Sequence, residues 1–476
     1  MHEAFPEVLE ALGRKHSHLA GVGHAVASVW SDDAALYRIN PYSFATTHAL
    51  EPSRCLEWFL RAVSAGAFLF EWEVVCGGCG AIVDTVASLG AIDRHVYCDD
   101  CAVERTALLD DAVHVAFSPS PTVRTLRYRE PDLLTAEEYF LATYFGSHIV
   151  LRDTGEDLRE FLRRTMICAV KLQPGQTHEG TYDLGEGTLV GAPRHKAFVR
   201  GCSESAHPDA KQALELTYSD KAFEPYGQPL NAGPTRLSMT NASDQPVWVF
   251  SYVADRVPYF AYRPYLSGRE LIGHPLFREL FADQMVVIAD GLELSDITLM
   301  FTDLRASTAL YERIGDPRAF ELVSEHFRRV GHVIGVHRGT VVKTIGDAIM
   351  ASFNRPADAV KAAVASVREV RELGRELAMD DLAIKIGIHR GPGFVVNVNN
   401  TIDYFGRTAN LAARVQSCAN AHEICLSEAI FEDPEVGPIL AGHQGLESET
   451  VALKGVDDAV TIWRLRQSRP AAAAAD

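Results

Sequence analysis

Long apolar runs are missing from this chain of 476 residues, and none reaches the roughly 20 residues that a helix needs to cross a bilayer. The N-terminal stretch "MHEAFPEVLEALGRKH" carries acids and lacks an apolar core segment, which argues against a secretory leader. Basic charge is also short: 45 Lys and Arg face 63 Asp and Glu, a formal net charge of −18. That balance argues against a broad nucleic-acid or anionic-membrane surface, so positive charge for an anionic substrate must be gathered locally. An internal repeat is lacking too. The nine cysteines form no even set: four fall in two CxxC pairs and Cys55, Cys168, Cys202, Cys418 and Cys425 stand singly. A reducing compartment would keep the single ones as thiols, and the expected location is cytoplasmic.

What is present is ordinary for folded protein, 47% hydrophobic and 23% charged, and the length allows two to four domains. The texture predicts a multidomain α+β protein. Residues 1–75 read as mainly helical, closing on the alternating strand "FLFEWEVV", and 38–75 faintly resemble a winged helix. Residues 76–104 hold the cysteine pairs. From 112 to 265 short alternating runs split by Gly, Pro, Asn and Asp predict a mainly β regulatory module, a sandwich by texture. Residues 266–294 form a connector with a short amphipathic helix. After 295 strands alternate with long helices, which predicts a sheet with helices on one face. Residues 469–476 are an alanine-rich tail expected to be flexible.

Chemistry concentrates in 295–468. The strand "DITLMFTDL" reaches Asp303 near its end, and the Gly346-Asp347 pair sits at a hairpin tip. If the two strands are neighbours, these carboxylates converge as hard oxygen ligands suited to Mg2+ or Mn2+. Ala306, Ser307 and Thr308 lead towards a helix start, where free N–H groups accept phosphate. Asn410 and Arg414, four apart, share a helical face, and Asp403 lies near it if the helix extends back that far. Lys343 precedes the hairpin turn, and "ALKG" sets Lys454 in a tight turn. Each of these residues has an ordinary reading alone, as turn former, cap or solvated face.

Together, "FTDLRAST", "KTIGDAIMASF", "IGIHRG", "DYFGRTANLAARV" and "LKG" resemble, in order, the motifs of class III nucleotide cyclases of the bacterial adenylyl type. The resemblance implies a ferredoxin-like-based, antiparallel-rich sheet with helices, and a function as adenylate cyclase, making cyclic AMP and pyrophosphate from ATP. By position it implies that Asp303 and Asp347 hold two Mg2+ or Mn2+ ions per site. Lys343 and Asp403 would select adenine; guanylyl enzymes usually carry glutamate and cysteine there. Asn410 would position the ribose, Arg414 would stabilise the transition state and Lys454 would reach the triphosphate. Leu304 and the loop to Thr308 would hold phosphates through their main chain. It also implies a homodimer whose chains each complete the other's site, with upstream modules regulating. Three departures stand out: Ala306 where glycine is common, Ala409 for valine, and Lys385 where many relatives have arginine. The alternatives are a non-catalytic nucleotide sensor and a guanylate cyclase.

"CGGC" and "CDDC" give Cys76, Cys79, Cys98 and Cys101 the C-x2-C-x18-C-x2-C spacing of a zinc ribbon, which predicts a closed structural Zn2+ site. The acids Asp99, Asp100 and Glu104 disfavour nucleic acid as its partner. The five single cysteines read as core thiols. Residues 39–130 also resemble a module found before some bacterial cyclase domains, which implies no activity of its own.

Overall fold

The computed structural model describes residues 5–466, apart from 99–100, 102, 111, 194–197, 204–211, 220–222, 225–228, 256–258, 282–290, 306–312, 314, 380, 399–400, 444 and 454–458. Two compact units result. The first comprises Met1–Ala107 and Asp111–Ser267, and the second comprises Leu108–Asp110 and Gly268–Asp476.

The first unit opens with five helices, the last two being Pro41–Thr47 and Pro52–Ser64. Asn40 starts the former: its side chain accepts from the amides of Tyr42 and Ser43, and Pro41 supplies a preset first turn. Pro52–Ser64 buries Cys55, Leu56, Trp58, Phe59, Leu60 and Ala62. Its outer side carries Ser53, Arg54, Glu57, Arg61 and Ser64, and Arg61 is ion-paired with Glu57 at 2.8 Å, so this face is charge-balanced rather than basic. The helix packs on strand Phe68–Val75, which lies between Ile82–Val86 and Val113–Pro119, with Leu266–Ser267 at the outer edge. Val113–Pro119 thus joins this sheet through a seven-residue antiparallel register from Phe68↔Pro119 to Val74↔Val113.

Two further sheets follow. One orders Leu230–Asn231, Phe198–Ser203, Gly187–Pro193, Val247–Ala254 and Met166–Leu172; the other orders Phe223–Glu224, Gln212–Tyr218, Gly233–Asn241 and Thr177–Leu184. Leu172, Leu189 and Val249 of the first share one core with Leu184, Leu216 and Met239 of the second. Alternating apolar residues on facing sheets produce this sandwich. Cys168 and Cys202 belong to its core. Burial pushes Cys168 up to about 11, as it does Cys55, and Cys425 in the second unit up to about 12, so these thiols stay protonated.

The second unit is built on one long sheet in the order Thr340–Ile345, Ala348–Phe353, Leu292–Leu304, Ile384–Val398, Glu423–Ser427, Val460–Arg466, Leu446–Val451, with Thr401–Phe405 paired to Ile384–Val398. All pairings are antiparallel except Ile384–Val398 with Glu423–Ser427. Strand Ile384–Val398 runs as one element through the "GPG" of residues 391–393. Gly391, Pro392 and Gly393 cross a register shift between Leu294 and Ile297 of the neighbouring strand, a bulge that absorbs the proline.

Helices Asp316–Val336 and Pro356–Glu376 cover one face of this sheet. Val330, Ile334, Val360 and Val367 pack there with Met300, Ile386, Ile388, Ile424 and Leu426. The expectation of helices on one face alone is corrected by helix Arg407–Ser417. Cys425, between Ile424 and Leu426, joins Leu411, Val415 and Ile462 in a separate core on the opposite face. Gly387 makes this second packing close, because a Cβ built on it would lie 2.1 Å from Gln416 N and 2.2 Å from Gln416 Cα. No helix among the described residues is long and apolar enough to cross a membrane.

The close approach yields a prediction. Gly387→Ala drives a methyl into backbone atoms that cannot yield and should cost about 3 kcal/mol. Gly335→Ala, in helix Asp316–Val336 with no atom within 4 Å of the added methyl, should leave stability unchanged or raise it by up to about 1 kcal/mol. Thermal melts of the two variants check this; equal melting temperatures would sink it.

Candidate active site and a four-cysteine cluster

Strand Leu292–Leu304 is central, and its register sets the site. Thr302 lies opposite Ile349 on one neighbour, and Asp303 lies opposite Lys385 on the other. Asp347 occupies the two-residue turn between Ile345 and Ala348, where Gly346 takes φ +63° in the leading position of a tight hairpin. The two aspartates therefore stand at adjacent strand ends. Lys385 Nζ lies 2.6 Å from Asp303 Oδ2, with both side chains about a quarter exposed. Asp347 Oδ2 is buried and has no hydrogen-bond partner among the described residues. A buried carboxylate oxygen left unpaired is costly, and a cation beside it removes the cost. The donor set, two carboxylates open to water and phosphate, fits Mg2+ or Mn2+.

Lys343 and Asp403 meet on the same sheet. Lys343 Nζ lies 2.5 Å from Asp403 Oδ2, with the lysine 41% and the aspartate 16% exposed. The other carboxylate oxygen accepts from Tyr404 N at 2.9 Å. Asp403 belongs to strand Thr401–Phe405, opposite Val396, so the helix does not extend back to it. Gly406, at φ +120°, ends the strand and opens helix Arg407–Ser417. Asn410 and Arg414 are exposed on that helix, and neither side chain has a hydrogen-bond or ion-pair partner among the described residues. Leu304 is buried, and the amide after it, Arg305 N, is bound by Ala383 O. Ala306, Thr308 and Lys454 lie outside the described residues.

Two residues near Asp303 escaped the reading of the sequence as site members. Lys385 was marked only as a departure, yet it is the ion-pair partner of Asp303. His326, on helix Asp316–Val336, is fully buried, and neither ring nitrogen has a partner among the described residues. Burial pulls it down to about 4 although the charge of Asp303 opposes the shift, so it is neutral at physiological pH. A histidine on an otherwise apolar helix face was the available signal for it.

In the first unit, Cys76 follows strand Phe68–Val75 and Cys98 ends strand His95–Cys98. Gly80, at φ +72°, donates its amide to Cys76 O, while Gly78 N points at Cys76 Sγ at 3.4 Å. These contacts curl 76–80 into a knuckle. All four sulfurs lie within 4.8 Å of one another; Cys76 to Cys101 is 3.8 Å and Cys79 to Cys98 is 3.5 Å. A tetrahedral ion with Zn–S bonds of ~2.3 Å needs edges of ~3.8 Å. The thiols compete for ionisation. Hydrogen bonds from Cys79 and Cys98 lower Cys76, while its contact with Cys76 pushes Cys98 up to about 12. A divalent cation resolves that conflict, because it lets every sulfur bind as thiolate.

Residues 292–461 match the model of the adenylate and guanylate cyclase catalytic domain, so the second unit carries a domain of that class. Over more than half of its length, residues 12–279, the chain matches and belongs to the family of unknown function DUF5939. The receptor-type adenylate cyclase GRESAG 4.1 of Trypanosoma brucei brucei is 30% identical over 212 residues, covering 36% of this chain and 16% of that protein. The adenylate cyclase of Anabaena cylindrica is 25% identical over 187 residues, 36% of each chain. The match thus spans far less than two thirds of either relative. Among solved structures, the adenylyl cyclase CyaB from P. aeruginosa is 23% identical, with a TM-score of 0.33, over 38% of this chain and 97% of that one.

The cysteine cluster generates the prediction here. Purified protein should carry about one equivalent of zinc by elemental analysis, and Cys98→Ser should lose most of it. Chelation should lower the melting temperature of the first unit. Metal-free protein that melts like the metal-loaded form would refute a structural site.

Proposed function

We propose that the chain is an adenylate cyclase that converts ATP to cyclic AMP and pyrophosphate as a homodimer, with a structural Zn2+ ion in the four-cysteine cluster. The observation that carries the reading is the pair of strand-end aspartates, Asp303 and Asp347, the latter with a buried oxygen that lacks a partner among the described residues. The two would hold Mg2+ or Mn2+, which when bound acidifies the ribose 3′-hydroxyl and neutralises charge on the polyphosphate.

The remaining roles fall to the chain's own groups. Lys385 holds Asp303 by its ion pair and so fixes the direction of that carboxylate. Arg414, exposed and unpaired, is available to the α-phosphate, where charge grows as the 3′-oxygen attacks. Asn410, one turn before it, orients the sugar. Lys343 donates to purine N1 and Asp403 accepts from the 6-amino group. Guanine lacks that amino group, and a mispaired buried polar group costs ~1–3 kcal/mol. Leu304 and the main chain towards Thr308, with Lys454, take the phosphates in this reading.

Exposed apolar side chains support pairing of two chains. Ile345, 51% exposed, and Phe405, 71% exposed, lie two residues from Lys343 and Asp403 respectively. Burial of such groups against a second copy is favourable, and a two-fold dimer would build two equivalent sites. The connector supports regulation. Helices Gly268–Ile272 and Pro275–Leu280 belong to the second unit, and Arg278 donates to Ile272 O at 2.9 Å and to Tyr404 OH at 3.1 Å. Tyr404 is the neighbour of Asp403, so movement of the connector reaches the base-reading pair.

Two tests follow. With Mn2+ and ATP, Asp303→Ala and Arg414→Ala should each lower cyclic AMP formation at least a hundredfold, roughly 3 kcal/mol. Mixing the two inactive variants should restore a measurable fraction, because one composite site per mixed dimer is intact. Wild-type speed in either variant, or no recovery on mixing, contradicts the scheme. The double change Lys343→Glu with Asp403→Cys should move preference from ATP towards GTP, read by direct competition. Wild-type preference for GTP would favour the guanylate alternative instead.

A further inference from the structure

A cavity of about 670 Å3 lies inside the first unit, a volume that takes a ligand of drug-like size. Its walls come from helices Ala136–Thr143 and Leu158–Thr165, strands Val247–Ala254 and Phe260–Tyr262, and the knuckle at Gly77, Gly78 and Cys79. The cavity opens to solvent, with the exposed Arg152 and Tyr259 among its lining residues. The walls nevertheless rest on well-packed residues: Leu141, Ile149, Leu151 and Phe161 are buried in the same cluster as Phe140 and Phe250.

The lining has a definite chemistry. Phe140 stacks on Tyr144 at 4.7 Å between centroids and on Phe250 at 4.9 Å, a column of rings that forms one aromatic shelf of the cavity. Tyr144, Tyr252 and Tyr262 also line the space, and no phenol hydroxyl among the three has a hydrogen-bond partner among the described residues. Burial holds Tyr252 and Tyr262 up at about 12, so both stay neutral hydrogen-bond donors. Arg152 lies at the cavity, is exposed, and has no ion-pair partner among the described residues. An unpaired guanidinium beside an apolar pocket lined by phenols is suited to one kind of guest: flat, apolar over most of its surface, and acidic at one end.

We infer that this cavity is a binding site for a planar aromatic anion, its ring on the Phe140–Phe250 shelf and its acid group at Arg152. The knuckle forms part of the wall. Gly80 leaves room for Phe260, whose ring carbon would be 3.0 Å from a Cβ at that position. A guest in the cavity therefore contacts the cysteine cluster as well as the sandwich. The site lies wholly within residues 77–262 and is independent of the nucleotide chemistry proposed above.

The experiment uses the full chain and anilinonaphthalene sulfonate, an aromatic anion whose fluorescence rises in apolar surroundings. Titration should saturate at about one probe per chain. Arg152→Gln, at an exposed position, should weaken binding at least fivefold, and Ala261→Trp, which fills the space, should abolish it. Phenylnaphthylamine, the uncharged counterpart, should be indifferent to Arg152→Gln. Fluorescence that never saturates, or an affinity for the sulfonate unchanged by Arg152→Gln, overturns the inference. Should Ala261→Trp fail to fold, the arginine variant and the uncharged probe still decide.

Discussion

The register of strand Leu292–Leu304 against its two neighbours is the constraint on which the second unit depends. Side chains alternate across a sheet, so one register decides both core and site. Met300 and Leu304 enter the large core with Ile386 and Ile388, while Asp303 and Lys385 meet as cross-strand partners between them. A slip of one residue would turn the carboxylate into the large core and misplace the apolar set. Packing thus enforces the placement of the chemistry. Gly387 reinforces the register from the other side, because only a residue without a side chain admits helix Arg407–Ser417 at that distance.

Much of the site was legible because its signals are local. A carboxylate closing an apolar run, a Gly-Asp turn and a polar pair spaced four apart each speak of one strand, one hairpin or one helix. The family motifs, in order, then joined them. What stayed hidden was non-local. The partnership of Lys385 with Asp303 exists only because two strands more than eighty residues apart in sequence pair in one register. Asp403 read as an extension of the helix because nothing in "DYFGRTAN" announces that Gly406 adopts φ +120° and breaks the run. That the helix carrying Asn410 and Arg414 packs on the opposite face was equally invisible, since the alternation Ile424, Cys425, Leu426 shows its two-sidedness only when both faces are covered.

The first unit illustrates the same division. The cysteine spacing announced its cluster directly, because a knuckle is a local turn closed by its own amides. The aromatic cavity had no such signature. Its shelf, phenols and guanidinium come from segments scattered between 77 and 262, each of which reads as ordinary core or loop by itself.

The contact between Lys343 and Asp403 has a consequence for discrimination. In the proposed scheme the two groups neutralise each other until a base arrives, so the resting pocket would be latched shut by the same pair that reads the base. A purine enters in the proposed scheme only by exchange, offering an acceptor to the ammonium and a donor to the carboxylate together. A ring that offers one without the other strands a charge and lets the latch re-form. Selectivity then resides in the opening of this bond as much as in the fit of the guest.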